Sequence, residues 1–302
     1  MKKVFHYYLL LFTLFLPACT FYNSNIKKID SITQAQQEFQ AADKDTLVAF
    51  DIDNTLLDAN EKMAQIEYLK PIYFDDPKFV EEIQTDFKKL YASRGSEFKD
   101  NFISAIYLGT TYKLVEPQAL VEIKKLQARN IKVIALTASY TGEYGKVKKM
   151  QKLRFDNLRD SGFDFHKAFD IKKIIFDKLA PRNGYFPMFY KGVILSATSS
   201  KGRTLGAFLD AIDWKPKKVI FVDDQKINHQ SVALEMKSRV IQFIGFHYKA
   251  DFKKKLKLGN KQLIKYQYDY LIKNGTFLTN KQALEMMMGP NIVKEAAIES
   301  VL

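Results

Sequence analysis

Thr46-Leu47-Val48-Ala49-Phe50-Asp51-Ile52-Asp53-Asn54-Thr55 is the stretch on which the reading of this chain turns. Its first half is a short, continuous apolar run. It lacks the apolar/polar alternation of a half-solvated strand, so it predicts a strand buried on both faces of a sheet. The run stops at two carboxylates. Asp51 and Asp53 stand two residues apart, and on an extended backbone that spacing points both side chains the same way. Like charges held together favour a shared cation or one protonated partner. Such a pair can divide the labour of group transfer, Asp51 attacking an electrophile and Asp53 moving a proton. Thr55 is expected to tie down the turn by bonding its backbone.

Similar runs recur downstream. Residues 132–136 end at Thr137, residues 219–222 at Asp223-Asp224, and residues 239–243 near Gly245. Residues 192–195 precede Ser196-Ala197-Thr198-Ser199-Ser200-Lys201. Helical patterns separate them at 117–129 (Leu120, Ile123 and Leu126 on one face), 143–159, 202–212 and 228–237. Alternating strands and helices predict an α/β, doubly wound parallel sheet, with its site at the carboxyl ends of the strands. Each polar cluster just named sits at such an end. Two segments break the alternation. Residues 58–116 read as a helical, aromatic-rich insertion, whose rings either pack together or line a pocket. Residues 163–191 carry Pro181, Gly184 and Pro187 and suggest a small hairpin or extended lobe. A short helix is expected over 31–42. Another is expected over 249–273, stopped by Gly275, and a last one is capped by Thr279.

Taken in order, these residues resemble the four motifs of the haloacid dehalogenase (HAD) superfamily. Asp51-Ile52-Asp53-Asn54-Thr55 resembles the first motif, DxDx[TV], and Thr137 resembles the second. Lys201, opening a helix after Ser200, resembles the third, and Asp223-Asp224 the acidic fourth. The resemblance implies a HAD-like Rossmannoid core with an inserted helical cap. It implies Asp51 as a nucleophile that becomes an aspartyl-phosphate, and Asp53 as acid and base. Thr137 and Lys201 would hold the phosphoryl oxygens. It implies Mg2+ as cofactor, held by Asp51, the backbone carbonyl of Asp53, and one of the Asp223-Asp224 pair. Alignment favours Asp224 as the direct ligand, with the reverse order open. The plan is similar to that of class C acid phosphatases and resembles an uncharacterised bacterial lipoprotein family (domain of unknown function 2608). One departure is that Ala138-Ser139 stands where related phosphatases carry an Asn-Arg pair.

The first residues read as a targeting signal. Lys2 and Lys3 precede an apolar stretch over 4–16, short for a membrane span, and Leu16-Pro17-Ala18-Cys19 resembles a lipobox. Cys19 is the sole cysteine, so no disulfide framework competes for it. The expected organisation is a signal peptide at 1–18 and a tether at 19–30. A core at 31–57 and 117–250, a cap at 58–116 and a C-terminal helical extension at 251–302 complete it. The resemblance implies an exported lipoprotein, anchored through Cys19 at the periplasmic face or outer membrane, with Thr20 compatible with the latter.

The net charge of +13 is carried by scattered lysines, with no arginine-rich arm. It suits an anionic small-molecule substrate and does not single out nucleic acid. No phosphate-cradling Walker loop and no dinucleotide fingerprint is present, and His166, His229 and His247 lack metal-site spacing. The expected activity is therefore Mg2+-dependent phosphomonoester hydrolysis on a small phosphorylated substrate. The alternatives are a non-catalytic HAD-fold scaffold lipoprotein or a phosphatase for nucleic-acid ends.

Overall fold

The computed structural model describes residues 25–249 and 256–288. The signal peptide expected at 1–18 and the lipidation expected at Cys19 lie outside the described residues. Eight strands form the central sheet: β1 (Asn25–Ile29), β2 (Thr46–Phe50), β5 (Lys132–Thr137), β6 (Lys173–Ile175), β7 (Met188–Tyr190), β8 (Val193–Leu195), β9 (Lys218–Asp223) and β10 (Gln242–Tyr248). Their spatial order is β1-β10-β9-β2-β5-β8-β7-β6. The six strands from β1 to β8 in that order are parallel, and β7 and β6 run antiparallel at one edge. A separate ribbon pairs β3 (Leu57–Ala59) with β4 (Tyr112–Leu114).

Strand β2 is buried along its whole length, as its apolar run requires. Val48 and Phe50 face a core built with α1 (Gln36–Gln40), α4 (Pro117–Ala128) and Leu158 of α5 (Met150–Asp160). Leu47 and Ala49 face the opposite core, against α6 (Lys201–Ala211) and α7 (Lys226–Ser238). Helices thus cover both faces, which makes the fold an α/β, doubly wound sheet. Each buried Leu, Val or Phe contributes about 1.5–3 kcal/mol to holding the two layers on the sheet.

Between β3 and β4 lie α2 (Lys62–Tyr68) and α3 (Pro77–Gly109). Asp76 caps α3 through the Phe79 amide, 3.2 Å away, and Gly95 kinks it, with φ of 84° that a glycine adopts without strain. The β3–β4 ribbon joins this insertion to the core. Helix α8 (Lys261–Asn274), ended at Gly275, packs with α2 and α3 in one apolar cluster. Tyr268 of α8 donates a hydrogen bond to Asp86 of α3 at 2.7 Å. Helix α9 (Asn280–Met288) follows. No helix of the described residues is long and apolar enough to cross a membrane.

Several local expectations change. Residues 25–29, expected within a tether, form β1 and pair with β10. The last parallel strand is Gln242–Tyr248 rather than 239–243, because Arg239 caps α7 and Val240 adopts a left-handed φ of 56°. Helix α5 starts only at Met150, since Tyr144 and Val147 close a tight bridged turn before it. The segment expected as a hairpin or lobe at 163–191 contains the antiparallel pair β6–β7, which adds to the edge of the main sheet. Helix α8 begins at Lys261 rather than near 249, where β10 has only just ended.

Helices α6 and α7 approach closely because Gly202 has no side chain. A Cβ there would sit 2.1 Å from the Ser231 carbonyl oxygen. Gly202→Ala should therefore lower unfolding free energy by about 1–3 kcal/mol, as overpacking of a tight interior does, measured by urea denaturation.

Candidate active site

The sheet register builds the site. Phe50 pairs with Val222 and with Ala135, so the residues just past each of these emerge side by side at the carboxyl edge. The Asp51 amide donates to the Val222 carbonyl at 2.9 Å, which extends the β2–β9 ladder by one step and sets Asp51 beside Asp223. Thr137 ends β5, and Lys201 opens α6 after β8. Ser200 caps α6, accepting from the Arg203 amide at 3.3 Å, and so aims the first turn of the helix at the strand ends. Asp51, Asp223, Asp224, Thr137 and Lys201 are all buried there.

Lys201 is the electrostatic centre. Its ammonium donates to Asp51 Oδ1 and, at 2.7 Å, to Asp223 Oδ2. Burial opposes the charged ammonium, yet Asp223 and Asp51 outweigh it and raise its pKa. Asp51 is pushed well above the usual carboxylate range, chiefly by burial. Lys201 works against that shift, and Asp223, Asp224 and Asp53 add to it. The Lys201 ammonium lies among three carboxylates, whose oxygens lie within 4.8 Å of one another, and Lys249 acts on Asp224 from beside its carbonyl, 3.2 Å away. This all-oxygen, net-negative cluster has the chemistry to hold a hard divalent cation.

The two acids of β9 differ in their partners. Asp223 also accepts from both sides of the α7 entry: the Gln225 amide at 2.6 Å and Asn228 Nδ2 at 3.0 Å to each oxygen. The Asp224 carboxylate accepts only from the Gln225 side chain within the described residues. Burial, with Asp223 adding, pushes Asp224 up to about 7. Two histidines fasten the backbone beneath them. His229 Nε2 bonds the Asp223 carbonyl at 3.0 Å, and His247 Nε2 bonds that of Asp224 at 2.9 Å. A carbonyl only accepts, so both nitrogens carry the proton. Burial holds both rings below the usual histidine pKa, in their neutral form. From sequence, a surface or packing role is expected for both, with a near-site role open for His229 because it closely follows Asp224. The sign of their part is that His247 stands opposite Asp223 in the β10–β9 register, which only pairing reveals.

Asp53 sits apart from the buried triad, with its side chain 44% exposed. Arg154 of α5 donates to its Oδ1 at 2.6 Å and approaches the Tyr112 hydroxyl at 3.4 Å. Arg154 has no side-chain exposure. Sequence reasoning missed it, although Met150, Arg154 and Leu158 share one helix face at i, i+4 and i+8. An arginine within an apolar stripe calls for a buried acidic partner. The turn after Asp53 closes through main-chain bonds from Leu56 and Leu57 to the Ile52 carbonyl, each 2.9 Å. Thr55 does not take the expected part, since its buried hydroxyl makes no hydrogen bond within the described residues. Thr137 Oγ1 accepts from the Ser139 amide at 3.1 Å, which holds the loop that follows β5.

A cavity of about 170 Å³ opens on the cap side of Asp53. Asp53, Ala64, Glu67, Ile103, Tyr107 and Tyr112 are among its lining. Burial pushes the Glu67 carboxyl up to about 7, with Lys99 opposing. A carboxyl raised on folding binds its proton more tightly in the native state. Its stabilising effect is full below the unfolded value near 4.5 and is lost as pH rises through about 7. Asp51 and Asp224 shift in the same direction. In the presence of chelator, unfolding free energy should therefore fall between about pH 4.5 and 7. Glu67→Gln should remove about one proton from that slope, measured by urea denaturation across pH.

Comparison with known proteins gives a family and no activity. Residues 27–284 match the family described as Protein of unknown function (DUF2608). An uncharacterized protein of Rickettsia felis is 25% identical over 250 residues, spanning 79% of this chain and 81% of that protein. One from Rickettsia prowazekii is 24% identical over 261 residues, spanning 86% and 89%. No solved structure matches the chain. With the family match running from β1 into α9, the chain belongs to the DUF2608 family of proteins of unknown function.

Proposed function

We propose that this protein is a Mg2+-dependent phosphomonoester hydrolase of the HAD type, working through an aspartyl-phosphate on Asp51. The observation that carries the reading is the Lys201 ammonium bridging Asp51 and Asp223 inside a buried acid cluster, with a second carboxylate, Asp53, at its open side. A packing motif has no need of three carboxylates buried around a lysine, whereas transfer of an anionic group needs nucleophile, acid and positive charge together.

In the first step an Asp51 carboxylate oxygen attacks phosphorus, and the bond from phosphorus to the leaving oxygen breaks. Asp53 gives that oxygen its proton. Arg154 occupies only Oδ1 of Asp53, so Oδ2 remains to carry this proton. Lys201 neutralises charge on Asp51 and the phosphoryl oxygens, and the Thr137 hydroxyl, at the neighbouring strand end, donates to one of them. In the second step Asp53 takes a proton from water, which attacks phosphorus, and phosphate leaves with Asp51 regenerated. The residues that would hold Mg2+ are Asp51, Asp224 and the Asp53 carbonyl. Asp224 is favoured over Asp223 because Asp223 is already spent on Lys201, Asn228 and Gln225. When bound, the ion supplies charge that lets the phosphate dianion meet a carboxylate. Export and anchoring through Cys19 remain part of the proposal, and the signal at 1–18 is its basis.

Full-length protein in detergent should release phosphate from a panel of monoesters only with Mg2+, and Asp51→Asn should abolish turnover. Arg154→Met should lower kcat about 100-fold or more with little change in KM, because it frees the acid/base without removing a substrate contact. Equal, background-level release by wild type and Asp51→Asn on a broad panel would overturn the reading in favour of a binding protein.

A further inference from the structure

The cavity beside Asp53 bears on which alcohol leaves. On the proposed mechanism the leaving oxygen must reach the Asp53 carboxylate, and this cavity is bounded by Asp53 itself. Its volume of about 170 Å³ lies below the roughly 300–1,000 Å³ of pockets that take drug-sized ligands, so it suits a small leaving group. Its walls are mostly apolar, and its polar lining is Asp53, Glu67, Tyr107, Thr110 and Tyr112, with no cation among them.

Glu67 is the unexplained group. It comes from α2 of the cap, is half-buried, and makes no hydrogen bond or ion pair within the described residues. Of the cations nearby, Arg154 is paired with Asp53, while Lys99, whose ammonium lies over the Tyr91 ring at 5.0 Å, attracts Glu67 without forming an ion pair with it. The Tyr107 hydroxyl feels both Glu67 and Asp53, so the two carboxylates bracket the cavity. A desolvated carboxylate without a partner is costly, and a ligand cation removes that cost. Aromatic walls add attraction for an alkylammonium.

We propose that this cavity is a leaving-group subsite for a small alkylammonium alcohol, so that the substrate class is the phosphate monoester of an amino alcohol of ethanolamine to choline size. Glu67 receives the ammonium, Tyr107 and Tyr112 flank it, and Asp53 protonates the alcohol oxygen as the phosphorus–oxygen bond breaks. The inference rests on the phosphohydrolase reading above.

The test compares full-length wild type and Glu67→Gln on matched pairs: O-phosphoethanolamine against propyl phosphate, and phosphocholine against its uncharged isostere 3,3-dimethylbutyl phosphate. The wild type should favour the charged member in kcat/KM by about tenfold or more, the gain of one charge-assisted contact. Glu67→Gln should bring that ratio close to one. A second variant, Ala64→Leu, narrows the cavity without touching charge. It should penalise phosphocholine more than phosphoethanolamine, which keeps the test open should Glu67→Gln fold poorly. A wild type that treats charged and neutral members alike, or a ratio unmoved in Glu67→Gln, overturns the subsite and leaves the phosphatase standing. So does a preference for adenosine monophosphate over every small ester. Failure to hydrolyse any ester overturns both.

Discussion

The Lys201 ammonium, shared between Asp51 and Asp223, is the constraint on which the rest of the structure depends. Buried carboxylates are costly, and removing a single partner from such a group costs about 3–5 kcal/mol. The lysine can lie between the strand ends only because α6 starts there, capped by Ser200, and because Gly202 lets α6 settle against α7. The acids in turn stay where they are because β9 pairs with β2 and the carbonyls of Asp223 and Asp224 are held by His229 and His247. Charge, cap, close helix packing and register therefore support one another at a single edge of the sheet.

The inserted helices add a second layer of control. Strands β3 and β4 bring the chain out from the site and back, and the cap cluster takes in α8 from beyond the core. Helix α8 and the inserted helices therefore share one apolar cluster. The Asp53–Arg154 ion pair stands where this body meets the core, with Tyr112 of β4 on one side and α5 on the other. On the proposed mechanism chemistry and selectivity meet at that junction, because Asp53 acts electrostatically on Asp51 and also lines the cavity.

What could be read along the chain followed from local rules. Unbroken apolar runs announced buried strands, and the acids, threonine and lysine at their ends announced the site. Ser31 capped a helix as its residue type suggests, accepting from the Thr33 amide and paired with Gln34 in a capping box. The misreadings have one physical origin. Strand β1 is only half apolar because it is an edge strand, its burial limited to Ile29, so the segment looked like a polar linker. Val240 and Ile241 suggest the start of a strand by residue type, yet Val240 lies 86% exposed in the turn after α7. The polar helix α5 hid Arg154, whose purpose appears only when Asp53, 101 positions earlier, is brought to it.

By itself the sequence determined the α/β alternation, the central strand, and the identity of Asp51, Asp53, Thr137, Lys201 and the Asp223-Asp224 pair as site candidates. These depend on residue type and on spacing along a single strand or turn, which are local properties. Tertiary structure alone decided the unequal partners of Asp223 and Asp224, the histidine clamps, the Arg154 pairing and the cavity that Glu67 shares with Asp53. Each of these is a contact between segments distant in the chain. Burial and charge at such a contact arise only once packing has excluded water from it, so no local pattern could carry them.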